Sequence, residues 1–355
     1  MKAKVWFMPV TDGEASGSVA RKAAKLADLA GLADIVRKNS LIGILQHVGE
    51  GDGIGYIKPQ VTRALASRIL QLEAKPFLTG TSTLYRGQRS NARDHIMQAY
   101  DHGFTPTGIG CPIIMCDGLR GADHIAVKVQ GATRERTAYL GSAVALMDGL
   151  VAVSHPTGHP AAGFAGAIKN VSMGLSSRGG KMSMHYGGHP DFVAEDCTAC
   201  GRCAQWCPED AIVIKQTAEL TPEKCIGCGQ CFSVCAFDAI DFKWNESGLE
   251  FQKGLVEYCL AVKEQVKSRI LCINIIQYFQ KGCDCFDNRQ KKFCPDVGIV
   301  ASRDIVAVDT ATADLLIRTT GQDIVREVGK RDYRKMLAYA EKLGLGSQDY
   351  ELIEV

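Results

Sequence analysis

Along the chain, short apolar runs alternate with segments whose apolar positions recur at helical spacing. Val5 to Val10 predicts a strand, Val19 to Ala30 an Ala-rich helix stopped by Gly31, and Leu41 to Val48 a second strand. Val61, Leu65, Ile69 and Leu72 share one helical face, and Phe77 to Gly80 follows as a strand. A helix near Asn91 to Tyr100, strands at Ile113 to Cys116 and near His124 to Val129, and the run Leu150 to Ser154 continue the series. After an interruption the alternation resumes: a helix over Leu255 to Val266, strands at Ile270 to Ile276 and Val297 to Ala301, and a helix from Asp304 to Arg318. A last amphipathic helix carries Tyr333, Met336, Leu337, Ala340 and Leu343 on one face. This alternation implies an α/β fold, a mostly parallel sheet with helices on both faces.

The interruption has a different grammar. Cys197, Cys200, Cys203 and Cys207-Pro208 are followed by Cys225, Cys228, Cys231 and Cys235, so one spacing of two, two and three intervening residues occurs twice. That is the bacterial ferredoxin spacing, in which three thiolates of a run hold one cubane and the fourth serves the other. Cys197, Cys200, Cys203 and Cys235 are therefore expected on one [4Fe-4S] cluster, and Cys225, Cys228, Cys231 and Cys207 on a second. Zinc sites pair two C-x2-C units across a longer gap, and disulfide frameworks belong to small secreted domains, so neither fits as well. Gly201, Gly227 and Gly229 allow tight turns around sulfide. The matching tails Asp210-Ala-Ile and Asp238-Ala-Ile make the segment an internal repeat, with Ala236 where the first run has Pro208.

Because strands and helices of one kind lie on both sides, the chain reads as one α/β domain, residues 1–187 and 245–355, with a 2[4Fe-4S] ferredoxin module inserted at 188–244. Three consecutive domains are the alternative. The loops Tyr186-Gly-Gly-His-Pro190 and Asn245-Glu-Ser-Gly248 read as hinges.

Charge and composition narrow the partners. The 355 residues carry 41 Lys and Arg against 39 Asp and Glu, a net charge of +2, and no basic block of the kind that tracks nucleic-acid phosphates. No apolar run is long enough to span a bilayer, and the N-terminus enters a strand pattern with no signal peptide. Fifteen Cys in such a chain imply metal ligation in the cytoplasm of an anaerobic or low-oxygen cell.

A second candidate site lies just before the repeat. Residues 149–190 contain no Asp or Glu, yet hold Lys169, Arg178, Lys181 and four of the eight His: His155, His159, His185 and His189. Ser154-His155-Pro-Thr-Gly-His159 ends an apolar strand, where α/β proteins keep ligands. A Gly-rich turn and short helix through Lys169-Asn170 follow, then a flexible loop from Met173 through Arg178 to Lys181. The functional reading is a pocket for a small anionic ligand or cofactor held by Lys169, Asn170, Arg178 and Lys181, with His155, His159 and Lys169 as catalytic groups. The alternative is a solvated loop whose histidines cap strands. Cys283, Cys285 and Cys294 form a further cluster, read as a third metal site or as ordinary thiols. Cys111, Cys116, Cys259 and Cys272 sit in apolar runs and read as core.

Together, the cysteine runs, Ser154-His-x-x-Gly-His159 with Gly163-Phe-x-Gly-Ala-Ile-Lys169-Asn170, the pairs Met173-Gly174 and Gly180-Lys181, and Cys283-Asp-Cys285 to Pro295-Asp296-x-Gly298 carry a family resemblance. The chain resembles the uncharacterised iron-sulfur-centre proteins, which carry the domain of unknown function 362 with an embedded two-cluster ferredoxin. That resemblance implies an α/β fold with a cluster-bearing insertion and names no reaction. More distantly the chain is similar to the nickel-pincer lactate racemase superfamily, to whose cofactor-surrounding residues His155 or His159 and Lys169 would correspond. The expected function is electron transfer, with the clusters feeding single electrons to or from a ligand site in the α/β domain and exchanging them with a redox partner protein. If that site is catalytic, the class is oxidoreductase. The alternative is a ferredoxin-like carrier whose α/β domain docks on a larger redox enzyme.

Overall fold

The computed structural model describes residues 2–85, 87–132, 137–185, 189–241, 248–285, 289–329 and 331–355. Eight strands build one central sheet: β1 (Ala3–Pro9), β2 (Leu41–Gln46), β3 (Lys75–Gly80), β4 (Ile113–Met115), β5 (Gly149–Ser154), β6 (Ile270–Ile276), β7 (Gly298–Ser302) and β8 (Tyr350–Glu354). Their spatial order is β8-β1-β7-β6-β5-β2-β3-β4. Every neighbouring pair is parallel except those of β7, which runs antiparallel to β1 and β6.

β5 and β6 lie side by side in the middle and are buried along their whole length, which is why their sequences are unbroken apolar runs. Their side chains alternate between two cores. Val151, Val153, Leu271 and Ile273 face one with helices α1 (Ser16–Leu29) and α2 (Pro59–Gln71). Leu150, Ala152, Ile270 and Cys272 face the other with α3 (Ala167–Leu175), α5 (Gly248–Gln265) and α6 (Ile305–Thr320). Both faces are thus covered, as the alternation implied. Asp304 caps α6 by accepting from the Val306 and Ala307 amides, both at 2.9 Å. The last amphipathic helix, α7 (Arg334–Lys342), buries Met336, Leu337 and Ala340 against α5 and α6.

Four features depart from the expectation. β7 is antiparallel, because among the described residues between β6 and β7 the chain returns without a crossover helix. His124–Lys128 pairs with Thr137–Gly141 in a separate antiparallel hairpin and not in the main sheet. β8 is an additional, half-exposed edge strand with little apolar signal. The stretch from Met173 to Lys181 is helical, not a loop: α3 ends at Leu175 and α4 (Arg178–His185) begins three residues later. Ala167, Ile168, Val171 and Leu175 supply a buried helical stripe in α3. In α4, Gly179 and Gly180 remove the side chains that would meet the Cys228 and Tyr139 carbonyl oxygens at 2.3 Å. Packing there overrides the low helix propensity of glycine.

Residues 189–241 stand outside the main sheet, between its neighbouring strands β5 and β6. Asp191–Phe192 pairs with Ile240–Asp241, and Ile212–Ile214 with Ala218–Leu220, both antiparallel. The repeat is visible in the backbone. A 3-10 turn precedes each cysteine run, a short helix follows Gly201 and Gly229, and Asp210 and Asp238 share a left-handed φ of 46° and 51°. Of the expected hinges, 186–190 and 245–248, residues 186–188 and 245–247 lie outside the described residues.

Candidate functional site at the carboxyl edge of the sheet

The carboxyl ends of the parallel strands converge on one edge. His47 follows β2, Thr81 follows β3, His155 follows β5 and Gln277 follows β6. Against this edge the loop after β6 lays Cys283, Asp284 and Cys285. The Cys283 thiol donates to Cys285 Sγ at 2.9 Å, and Lys169 Nζ from α3 donates to Cys283 Sγ at 3.1 Å and to Cys285 Sγ at 3.5 Å. His47 Nε2 lies 3.8 Å from Cys285 Sγ. Burial works against the Lys169 charge, but the two sulfurs outweigh it and raise its pKa. The hydrogen bond from Cys283, with Lys169 and His47 nearby, holds Cys285 well below the ordinary thiol range despite burial.

Asp284, between the two cysteines, turns to the other side. Its Oδ2 lies 2.8 Å from His155 Nδ1, and Gln280 Nε2 donates to Oδ1 at 2.7 Å. His155 Nε2 reaches the Gln277 carbonyl at 2.7 Å, so its ring is fixed at both nitrogens. Burial opposes the His155 charge, and the Asp284 carboxylate outweighs it and raises its pKa.

His155 and His159 do not meet. His159 Nδ1 accepts from the Ala161 and Ala162 amides at 3.2 and 3.1 Å, and its ring stacks on Phe251, as does that of His185. Burial, with the Lys169 charge adding to it, pushes both imidazoles down to about 3, so they are neutral.

The cations of the acid-free stretch are inside the protein, not in a solvated loop. Lys181 donates to Thr81 Oγ1 and to the Ser176 carbonyl, and burial lowers its pKa against the pull of Asp117. Arg178 reaches the Leu84 and Ser233 carbonyls and lies 4.4 Å from the centre of the Phe232 ring. Asn170 Nδ2 donates to the Val153 carbonyl and Ser154 Oγ, both at 3.0 Å, tying α3 to β5. The acids missing locally come from elsewhere: Asp284 for His155, Asp117 for Lys181, and Asp309 for the first amides of α3 at 2.7 and 2.9 Å.

Sequence reasoning missed His47 and a buried group beside it. Arg89 Nε donates to Glu50 Oε2 at 2.8 Å, Tyr85 joins both, and Tyr85 and Cys285 with Glu50 raise the Arg89 pKa against burial. Gln46-His47, a polar pair directly after an apolar strand, is the same signal that exposed Ser154-His155. Cys294 is not brought to the Cys283–Cys285 pair; burial pushes its thiol up to about 11 against the smaller pull of Lys292. Among the described residues, no three or more His, Cys, Asp or Glu side chains are placed to hold a single metal ion.

In the repeat, two cavities are each lined by four thiols. Cys197, Cys200, Cys203 and Cys235 line one; Cys207, Cys225, Cys228 and Cys231 line the other. The fourth cysteine of each run has crossed to the other's cavity. Backbone amides aim at the sulfurs: Ala218 N to Cys197 Sγ at 3.4 Å and Ala211 N to Cys207 Sγ at 3.3 Å.

Helix α4 joins the two sites, with Gly179 against the Cys228 carbonyl at one end and His185 on Phe251 at the other. Gly179→Ala is expected to push α4 off the repeat and destabilise the protein by about 1–3 kcal/mol, the usual cost of overpacking. A lowered denaturant midpoint checks this.

A family model described as a domain of unknown function, DUF362, matches residues 42–314. No curated protein matches the sequence. Among solved structures, the lactate racemase apoprotein from Thermoanaerobacterium thermosaccharolyticum is similar at 11% identity, over 76% of this chain and 50% of its own, with a TM-score of 0.36. A Thermotoga maritima protein solved by the Northeast Structural Genomics Consortium is similar at 11% identity, over 94% of this chain and 60% of its own, with a TM-score of 0.41. This chain thus spans half the length of the first and 60% of the second, and TM-scores this low carry no further argument. Among the described residues no helix is long and apolar enough to cross a membrane.

Proposed function

The chain belongs to the DUF362 family, and from that premise we propose that residues 188–244 hold two [4Fe-4S] clusters serving a ligand site at the carboxyl edge of the α/β domain formed by 1–187 and 245–355. The observation that carries this reading is the crossed lining of the two cavities by four thiols each. Four Cys around each cavity, with amides directed at sulfur, is the donor set a cubane takes. When bound, such clusters supply one-electron transfer.

At the sheet edge the half-buried Lys169, whose ammonium is shared with the Cys283 and Cys285 sulfurs, is the cation that a small anionic ligand would meet, with the neutral imidazole of His159 beside it. His155, Asn170, Arg178 and Lys181 have their polar atoms engaged by the protein and act as positioning residues. The activity class is oxidoreductase, in a reducing, low-oxygen cytoplasm.

A second reading, a carrier that docks on a larger redox enzyme, is favoured by one observation. Trp206, Val213, Ile226 and Phe237 are large apolar side chains exposed on the repeat, and Phe237 and Ile226 line the two cavities. The surface that would receive a redox partner is therefore the repeat itself and not the α/β domain.

Iron analysis with reduced-state electron paramagnetic resonance on anaerobically purified protein tests the proposal. About eight irons per chain and a signal from two interacting cubanes are expected. Stoichiometric zinc in place of iron, or iron without an interacting signal, would sink it.

A further inference from the structure

The geometry points to Cys283 and Cys285 as a redox-active thiol pair that exchanges with small disulfides, with Lys169 setting its poise. The two sulfurs stand 2.9 Å apart, and Asp284 between them is held on the opposite side by His155 and Gln280, so the turn presents both thiols together. Their exposure is unequal: Cys283 is 4% exposed and Cys285 is half-buried, the arrangement of an attacking thiol and a resolving one. Among the described residues, the Lys169 ammonium has only these two sulfurs as hydrogen-bond partners. A cation committed to a thiol pair favours its reduced, thiolate-bearing form over the uncharged disulfide.

The exchange balances with an external disulfide as oxidant. Cys285 Sγ attacks one sulfur of that disulfide, its S–S bond breaks, and the first external thiolate leaves with the electron pair. Cys283 Sγ then attacks Cys285 Sγ in the mixed disulfide and expels the second thiolate, which takes the Cys283 proton. Attacking as the thiolate, Cys285 brings no proton, so the protein pair loses two electrons and the one Cys283 proton, and the external sulfurs leave as one thiolate and one thiol; an external dithiol reverses both steps. This goes beyond the cluster proposal and does not rest on it.

The test equilibrates anaerobic full-length protein with graded ratios of reduced and oxidised glutathione, alkylates the free thiols, and reads the peptide bearing residues 283–285 by mass, with iron content measured in every sample. Cys283 and Cys285 are expected to lose alkylation together and to yield a peptide lighter by two hydrogens. Cys285→Ser is expected to abolish that product. Lys169→Gln is expected to move the equilibrium at least tenfold toward the disulfide, because the reduced form alone loses its counter-charge. Thiols that stay alkylatable across the whole range, or that oxidise independently, would overturn the pair; an unmoved Lys169→Gln midpoint would overturn the role of Lys169. Iron loss with an unchanged thiol response would count against the clusters alone.

Discussion

Asp284→Asn is expected to destabilise the protein by about 3–5 kcal/mol at pH 6, the cost of removing one partner from a buried ion pair. Both members are 8% exposed, so solvent cannot take over the lost interaction. The effect depends on pH in a defined direction. Burial opposes charge on His155, yet Asp284 raises its pKa above the ordinary 6.5, so its contribution is complete below about pH 6.5 and is lost as pH rises through the raised value. Burial also opposes charge on Asp284, yet His155 lowers its pKa, so that contribution is present above the ordinary carboxylate range and is lost as pH falls through the lowered value. The difference between wild type and variant should therefore be widest in mildly acid solution. It should narrow in alkali to the worth of a hydrogen bond, about 1 kcal/mol, once the imidazole is neutral. Urea titrations of both proteins at pH 6 and at alkaline pH measure it; a gap that widens with pH would show that the pair is not ionic.

Much of the fold was legible because fully buried parallel strands leave an unmistakable trace. β5 and β6 were found almost to the residue from uninterrupted apolar runs, and α6 from Asp304 onward, because its cap and stripe agree. Direction was not legible: β7 is as apolar as its neighbours, and whether it runs with or against them depends on how the loop before it returns. β8 and the His124 hairpin were hidden or misplaced because half-exposed strands owe their pairing to neighbours distant in sequence.

The site was legible in its members and not in their alliances. Lys169 and the Cys283–Cys285 pair were both singled out, but 114 residues separate Lys169 from Cys283, and nothing local says that one serves the other. Charge counting along the chain misled for the same reason. The acid-free stretch is not an unbalanced positive surface, since Asp117, Asp284 and Asp309 reach it through the fold. Glycines in α4 suggested a loop, where the close approach of two carbonyl oxygens explains them better.

The crossing of Cys207 and Cys235 makes the last prediction, a pattern of non-additivity. On the two-cluster proposal, each single variant, Cys207→Ala or Cys235→Ala, is expected to lower iron from about eight to about four per chain, since one cubane would lose a ligand and its partner would keep all four. The double variants discriminate. Cys207 and Cys225 line the same cavity, so replacing both should cost no more than either alone and leave about four irons. Cys207 and Cys235 line different cavities, so their double variant should hold almost none. If each run instead kept its own fourth thiol, Cys207 and Cys225 would serve different clusters, and their double variant would lose all its iron. The remaining cubane should also change character, its paramagnetic signal passing from that of an interacting pair to that of an isolated centre. Iron assays on the two double variants therefore read the crossed connectivity directly, whatever the ligand at the sheet edge turns out to be.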